Sequence, residues 1–168
     1  MNPIQRNKVL NKVLKLLRLT MINTRKLYLK VEKVIKMIEK DPEQGYDKFL
    51  EEMQFLQGKS VNNINSLLKT FRNYKMDKNK STSPVMQHLE TAKSLATSTI
   101  ILPKYDSMLN LYKAFNSLKV SYDLLINIRR ENKYKITSFS QSTNSVNTSN
   151  YFNSLLGINV NIQNLNIS

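Results

Sequence analysis

Apolar side chains return at alternating steps of four and three along residues 10–38: Leu10, Leu14, Leu17, Met21, Tyr28, Val31, Ile35 and Ile38, with Thr24 filling the one gap. Such spacing keeps one face of an α-helix on a single line, whereas a strand repeats every second residue. It predicts a helix from about Pro3 to Lys40, about 55 Å long at 1.5 Å per residue. Val9, Val13, Leu16, Leu27 and Val34 widen the stripe beyond what a two-stranded coil uses, so the helix belongs in a bundle with two neighbours.

The same pattern recurs along the chain. Asp41-Pro42 offers a capping side chain and a proline at a first helical position, predicting a second helix over about Pro42–Gln57 that Gly58 stops. Ser60 then caps a third, with Val61, Ile64, Leu67, Leu68 and Phe71 on one face. Ser83-Pro84 starts a fourth near Val85, and Pro103 interrupts it. A fifth, over about Lys104–Lys135, carries Met108, Leu111, Phe115, Leu118, Tyr122 and Leu125, again in threes and fours. Glycine (3) and proline (4) are too few for the turns that sheets demand. The expected fold is all-α, an elongated bundle of four to five helices with two long coiled-coil-like helices and a low-complexity C-terminal tail.

The last 32 residues hold no Lys, Arg, Asp or Glu. Residues 1–135 are therefore expected to form the bundle and 136–168 an uncharged tail. Its Ser/Thr/Asn stretch, 137–150, buries too little apolar surface to offset its ordering entropy and is expected as a linker. Within 151–168, Ile158–Gln163 alternates apolar and polar residues and suits a docking strand that adds to a partner's sheet. An unstructured Asn-rich terminus explains the composition equally well.

Several chemistries find no support. Cysteine is absent, which removes a catalytic thiol, a disulfide framework and a zinc knuckle. His88 is the single histidine, and Gly45, Gly58 and Gly157 are too scattered to cradle a phosphate. Asp47 and Glu51 share a helical face, but beside Lys48 they suit a solvated, charge-balancing surface better than a catalytic dyad. The chain is thus expected to be no enzyme and to need no metal or cofactor. Its apolar runs fall far short of the ~20 residues that cross a bilayer, and lysines interrupt the opening leucines in a way no secretory signal does. An intracellular protein of the cytoplasm, nucleus or mitochondrion is expected. In the stretch KLYLK, Lys26–Lys30, a leucine stands where the Leu-Tyr-Arg motif of small mitochondrial assembly factors has its arginine, and no family resemblance follows.

Charge is the remaining signal. The formal net charge is +14, and residues 1–31 hold eight basic and no acidic residues. Two functional readings follow. In the first, the chain is a non-catalytic scaffold, tether or adaptor that packs its seams, Leu10 to Ile35 and Met108 to Leu125, against other protein subunits or a second copy. In the second, it binds nucleic acid or another anionic surface through Lys12, Lys15, Arg18, Arg25 and Lys26, through Lys69, Arg72 and Lys75, and through Arg129, Arg130 and Lys133. No recognisable nucleic-acid-binding motif accompanies those cations. The adaptor reading is preferred for that reason.

Overall fold

In the computed structural model, residues 1–97 and 101–147 are described, with side chains through Ser138. Four helices follow one another: α1 (Pro3–Lys40), α2 (Asp47–Asn73), α3 (Ser83–Thr97) and α4 (Tyr105–Asn147). No strand occurs among the described residues, and the fold is an all-α bundle.

Helix α1 has the bounds its heptads predict. Its start is a reciprocal cap: the Gln5 amide donates to Asn2 Oδ1 at 2.8 Å and the Asn2 amide to Gln5 Oε1 at 3.2 Å, with Pro3 at the first helical position. Asp41-Pro42, expected to open the next helix, instead closes a turn. The Glu43 amide bonds Asp41 Oδ1 at 3.3 Å, and Gly45 at φ +71° carries the chain through a left-handed step that side chains resist.

The expected second and third helices are a single one. Gly58, read as a stop, lies inside α2 facing open space. Ser60, read as a cap, is buried and receives a 3.4 Å hydrogen bond from the Thr24 hydroxyl. A glycine costs a helix interior about 1 kcal/mol relative to alanine. Burying Met53, Ile64, Leu67, Leu68 and Phe71 on one continuous face outweighs that, at about 1.5–3 kcal/mol for each large side chain.

Helix α2 ends in a Schellman motif. The Met76 amide reaches the Phe71 carbonyl (2.8 Å) and the Lys75 amide the Arg72 carbonyl (3.1 Å), while Lys75 takes φ +56° where glycine is usual. Met76, buried, closes the end against solvent. The loop to α3 is pinned by the buried Thr82 hydroxyl, which donates to the Met76 carbonyl. Helix α3 then runs antiparallel to α2: Gln57 Nε2 donates to the Ala96 carbonyl at 2.7 Å, and Arg72 pairs with Glu90 at 3.6 Å. Pro103 separates α3 from α4, as its missing amide and fixed φ require.

Helix α4 runs past the expected end at Lys135, so residues 137–147, read as linker, are helical. The physical reason is propagation: once a helix exists, each further residue adds a hydrogen bond at little entropic cost, and Ser, Thr and Asn are only mildly unfavourable. The Thr137 hydroxyl donates to the Lys133 carbonyl at 3.1 Å. Residues 151–168, expected to carry a docking segment, lie outside the described residues.

Two compact units divide the chain. In the smaller, Met1–Lys12 and the chain from Ile126 onward, α1 and α4 are antiparallel: Asn132 Nδ2 donates to the Pro3 carbonyl (2.8 Å) and Arg129 Nη1 to Asn11 Oδ1 (3.2 Å). In the larger, Val13–Leu125, a core cluster joins Leu27, Val31, Val34 and Ile35 of α1 to Met53 of α2, Ile101, and Leu111 of α4.

Candidate functional site: a furrow between two long helices

Within the larger unit α1 and α4 again run antiparallel. The Tyr105 hydroxyl donates to Glu39 Oε1 at 2.6 Å near the end of α1, and further along Arg18 and Tyr122 line one depression. That hydrogen bond, reinforced by slight desolvation and by the charges of Glu39 and Glu32, holds the Tyr105 phenol above its ordinary 10.0.

Most of the predicted seam is buried in the chain's own fold. Leu10, Leu14, Leu17, Val31, Ile35, Leu111, Leu118 and Leu125 are all buried. Met21, Tyr28, Met108, Phe115 and Tyr122 are only half-buried. Four of these five line a furrow between α1 and α4 made of two adjoining depressions, of about 310 and 350 Å³, that share Arg25 and Phe115. In the first, Tyr28 faces Leu111 and Tyr112. In the second, Arg18, Met21 and Ile22 face Lys119 and Tyr122. Ile22 is 43% and Tyr112 55% exposed, high values for side chains of this size beside an apolar floor.

Neither Arg18 nor Arg25 has an ion-pair or hydrogen-bond partner among the described residues, whereas Lys119 is bound to Asp123 at 2.8 Å on its own helix. The furrow thus offers apolar and aromatic surface beside two uncompensated guanidinium groups. Those groups are planar donors suited to carboxylates or phosphates.

The other candidate cations are dispersed. Lys12, Lys15 and Lys26 are exposed on α1, and Lys69, Arg72 and Lys75 are exposed at the end of α2, Arg72 bound to Glu90; none lines either depression. Arg129 is half-buried against Asn11, and Arg130 and Lys133 are exposed on α4. Of the predicted polyanion contacts, the furrow unites only Arg18 and Arg25. Ile22, Tyr112 and Lys119 were not legible from the seam, since they lie off it. The one available hint was that Leu19, Ile22 and Leu29 place apolar side chains among the basic positions of the first helix.

His88 is half-buried on α3. Among the described residues no group of three or more His, Cys, Asp or Glu side chains could hold a metal ion, and no helix is long and apolar enough to cross a membrane. No known protein family, curated protein or solved structure matches the chain.

Proposed function

We propose that this protein is a non-catalytic interaction subunit, an adaptor or scaffold that holds a partner protein along the α1/α4 furrow. One observation carries the reading: along this line four seam residues, Met21, Tyr28, Phe115 and Tyr122, are only half-buried, and Ile22 and Tyr112 beside them remain exposed next to arginines unpaired among the described residues. Exposed apolar surface rimmed by polar groups is the usual character of a protein-binding face, and Tyr and Arg are the side chains that anchor such faces most strongly.

A photo-crosslinking amino acid at Tyr112, compared with one at exposed Phe55 on α2, tests this in cells of the native source. The expected result is a discrete protein adduct from position 112 alone. Once identified and purified, that protein should bind the full chain in solution and lose at least tenfold in affinity to Tyr112→Glu. Adducts of the same pattern from both positions, or a purified complex indifferent to Tyr112→Glu, would refute the proposal.

The rival reading, phosphate binding, draws on the +14 charge. Its signature is affinity for mixed RNA or DNA that falls ~10³- to 10⁵-fold between 50 and 200 mM salt for ~6–10 phosphate contacts.

A further inference from the structure

The furrow has a length and a charge pattern that define an occupant. Arg18 to Tyr28 on α1 and Leu111 to Tyr122 on α4 each span about 15–17 Å at 1.5 Å per residue, or about three helical turns. Arg18 and Arg25 stand seven residues apart, so their side chains leave the same face of α1 about 10 Å from each other. A helix lying alongside places its own residues i and i+7 at that separation. Met21 and Ile22 line the depression that both arginines border, and Leu111 and Phe115 line the one that Arg25 borders with Tyr28.

We infer that the furrow takes about three turns of an acidic amphipathic helix from a partner protein. Apolar side chains at i, i+3 or i+4, and i+7 enter the two depressions, and carboxylates along the flank meet Arg18 and Arg25. This rests on the reading of the chain as an interaction subunit.

Charge decides between occupants. A second copy laid face to face would set Arg18 and Arg25 against their own duplicates, on a helix with no acid before Glu32, and like charges across an interface are strongly unfavourable. The chain's own residues 137–168 carry no charge and would leave both guanidinium groups without a counter-ion. Nucleotides would satisfy the arginines, but a stacked strand needs successive open ring faces, and of the four rings in the furrow only Tyr112 is exposed, while Tyr28, Phe115 and Tyr122 are half covered by the fold. An acidic helix satisfies the arginines and the apolar floor together.

Fluorescence anisotropy with the full chain tests the inference, using labelled peptides of about fifteen residues. One is an amphipathic Leu/Glu helix, the second a scramble of the same composition, the third the amphipathic helix with Lys for Glu; an oligouridine is the fourth probe. The Leu/Glu helix is expected to bind at least tenfold tighter than its scramble. The double variant R18E/R25E should lose that binding tenfold or more and accept the Leu/Lys helix, with unchanged circular dichroism and Tm. K69E/K75E, which alters the net charge equally at cations outside both depressions, should bind the Leu/Glu helix as the parent does.

Equal binding of helix and scramble, equal loss in both double variants, or an oligouridine that binds tighter than the Leu/Glu helix overturns the inference. Its failure is separable from that of the adaptor reading. If the crosslinked partner binds through Tyr112 with a segment that is not an acidic helix, only the present inference falls. If the peptides behave as expected but no partner is crosslinked at position 112, the adaptor reading falls and what stands is the furrow's preference for an acidic amphipathic helix.

Discussion

The α2–α3 hairpin and the α1–α4 furrow belong to the same compact unit and use the same spacing of apolar residues, yet one is closed and the other open. In the hairpin, Leu67, Leu68 and Phe71 of α2 and Val85, Leu89 and Ala92 of α3 are buried, and polar side chains tie both ends. In the furrow, four seam residues stay half-buried and two arginines lack partners among the described residues. Periodicity thus says that a helix needs neighbours without saying how completely they cover it. Coverage depends on side-chain size: Ala92 and Ala96 let α3 approach α2 closely, whereas Tyr112, Phe115 and Tyr122 present bulky rings along α4.

That contrast breaks most directly by truncating one side chain in each region. Phe71→Ala in the closed hairpin should cost about 3–5 kcal/mol, while Ile22→Ser in the furrow should stay within about 0.5 kcal/mol. Urea denaturation of both variants measures the difference. A large loss from Ile22→Ser would mean that the furrow belongs to the core after all.

A smaller effect sharpens the description of α2. Gly58→Ala replaces an exposed mid-helix glycine that faces open space, and Lys75→Gly relieves a left-handed backbone at the helix end. Each should raise stability by about 0.5–1 kcal/mol, read from the same denaturation curves. If α2 were two helices broken at Gly58, the alanine would destabilise instead.

The smallest effect lies at the Glu39 end of the α1–α4 pair. Because folding raises the Tyr105 phenol above 10.0, the neutral form is the one the fold favours. The associated stability is complete below pH 10 and is lost as pH rises through the raised value. Tyr105→Phe should abolish that alkaline component, which phenolate absorbance and denaturation midpoints follow together. The exposure of the side chain keeps the component slight.

Much of this arrangement is legible in the residues alone. The heptads of α1 mark its bounds, and Pro103 marks the break before α4, because both signals act locally. Gly58 and Ser60 mislead because their local preference for a helix boundary is overridden by the buried face that runs from Met53 to Phe71. Among the furrow residues, Met21, Tyr28, Phe115 and Tyr122 stand out as seam positions. Ile22, Tyr112 and Lys119 do not, since their significance comes from a face that no other described helix covers, which only the packed chain reveals.

The Thr24–Ser60 contact has a consequence for alignment. With α1 and α2 antiparallel, as Lys30–Glu52 at 2.9 Å also requires, sliding α2 by one turn in either direction would bring Leu56 or Ile64 against Thr24. Either branched side chain is too large for the gap that a serine leaves, so this small hydroxyl pair acts as a detent. It fixes how far along α1 the shorter helices sit, and with that which stretch of the long helix is left bare.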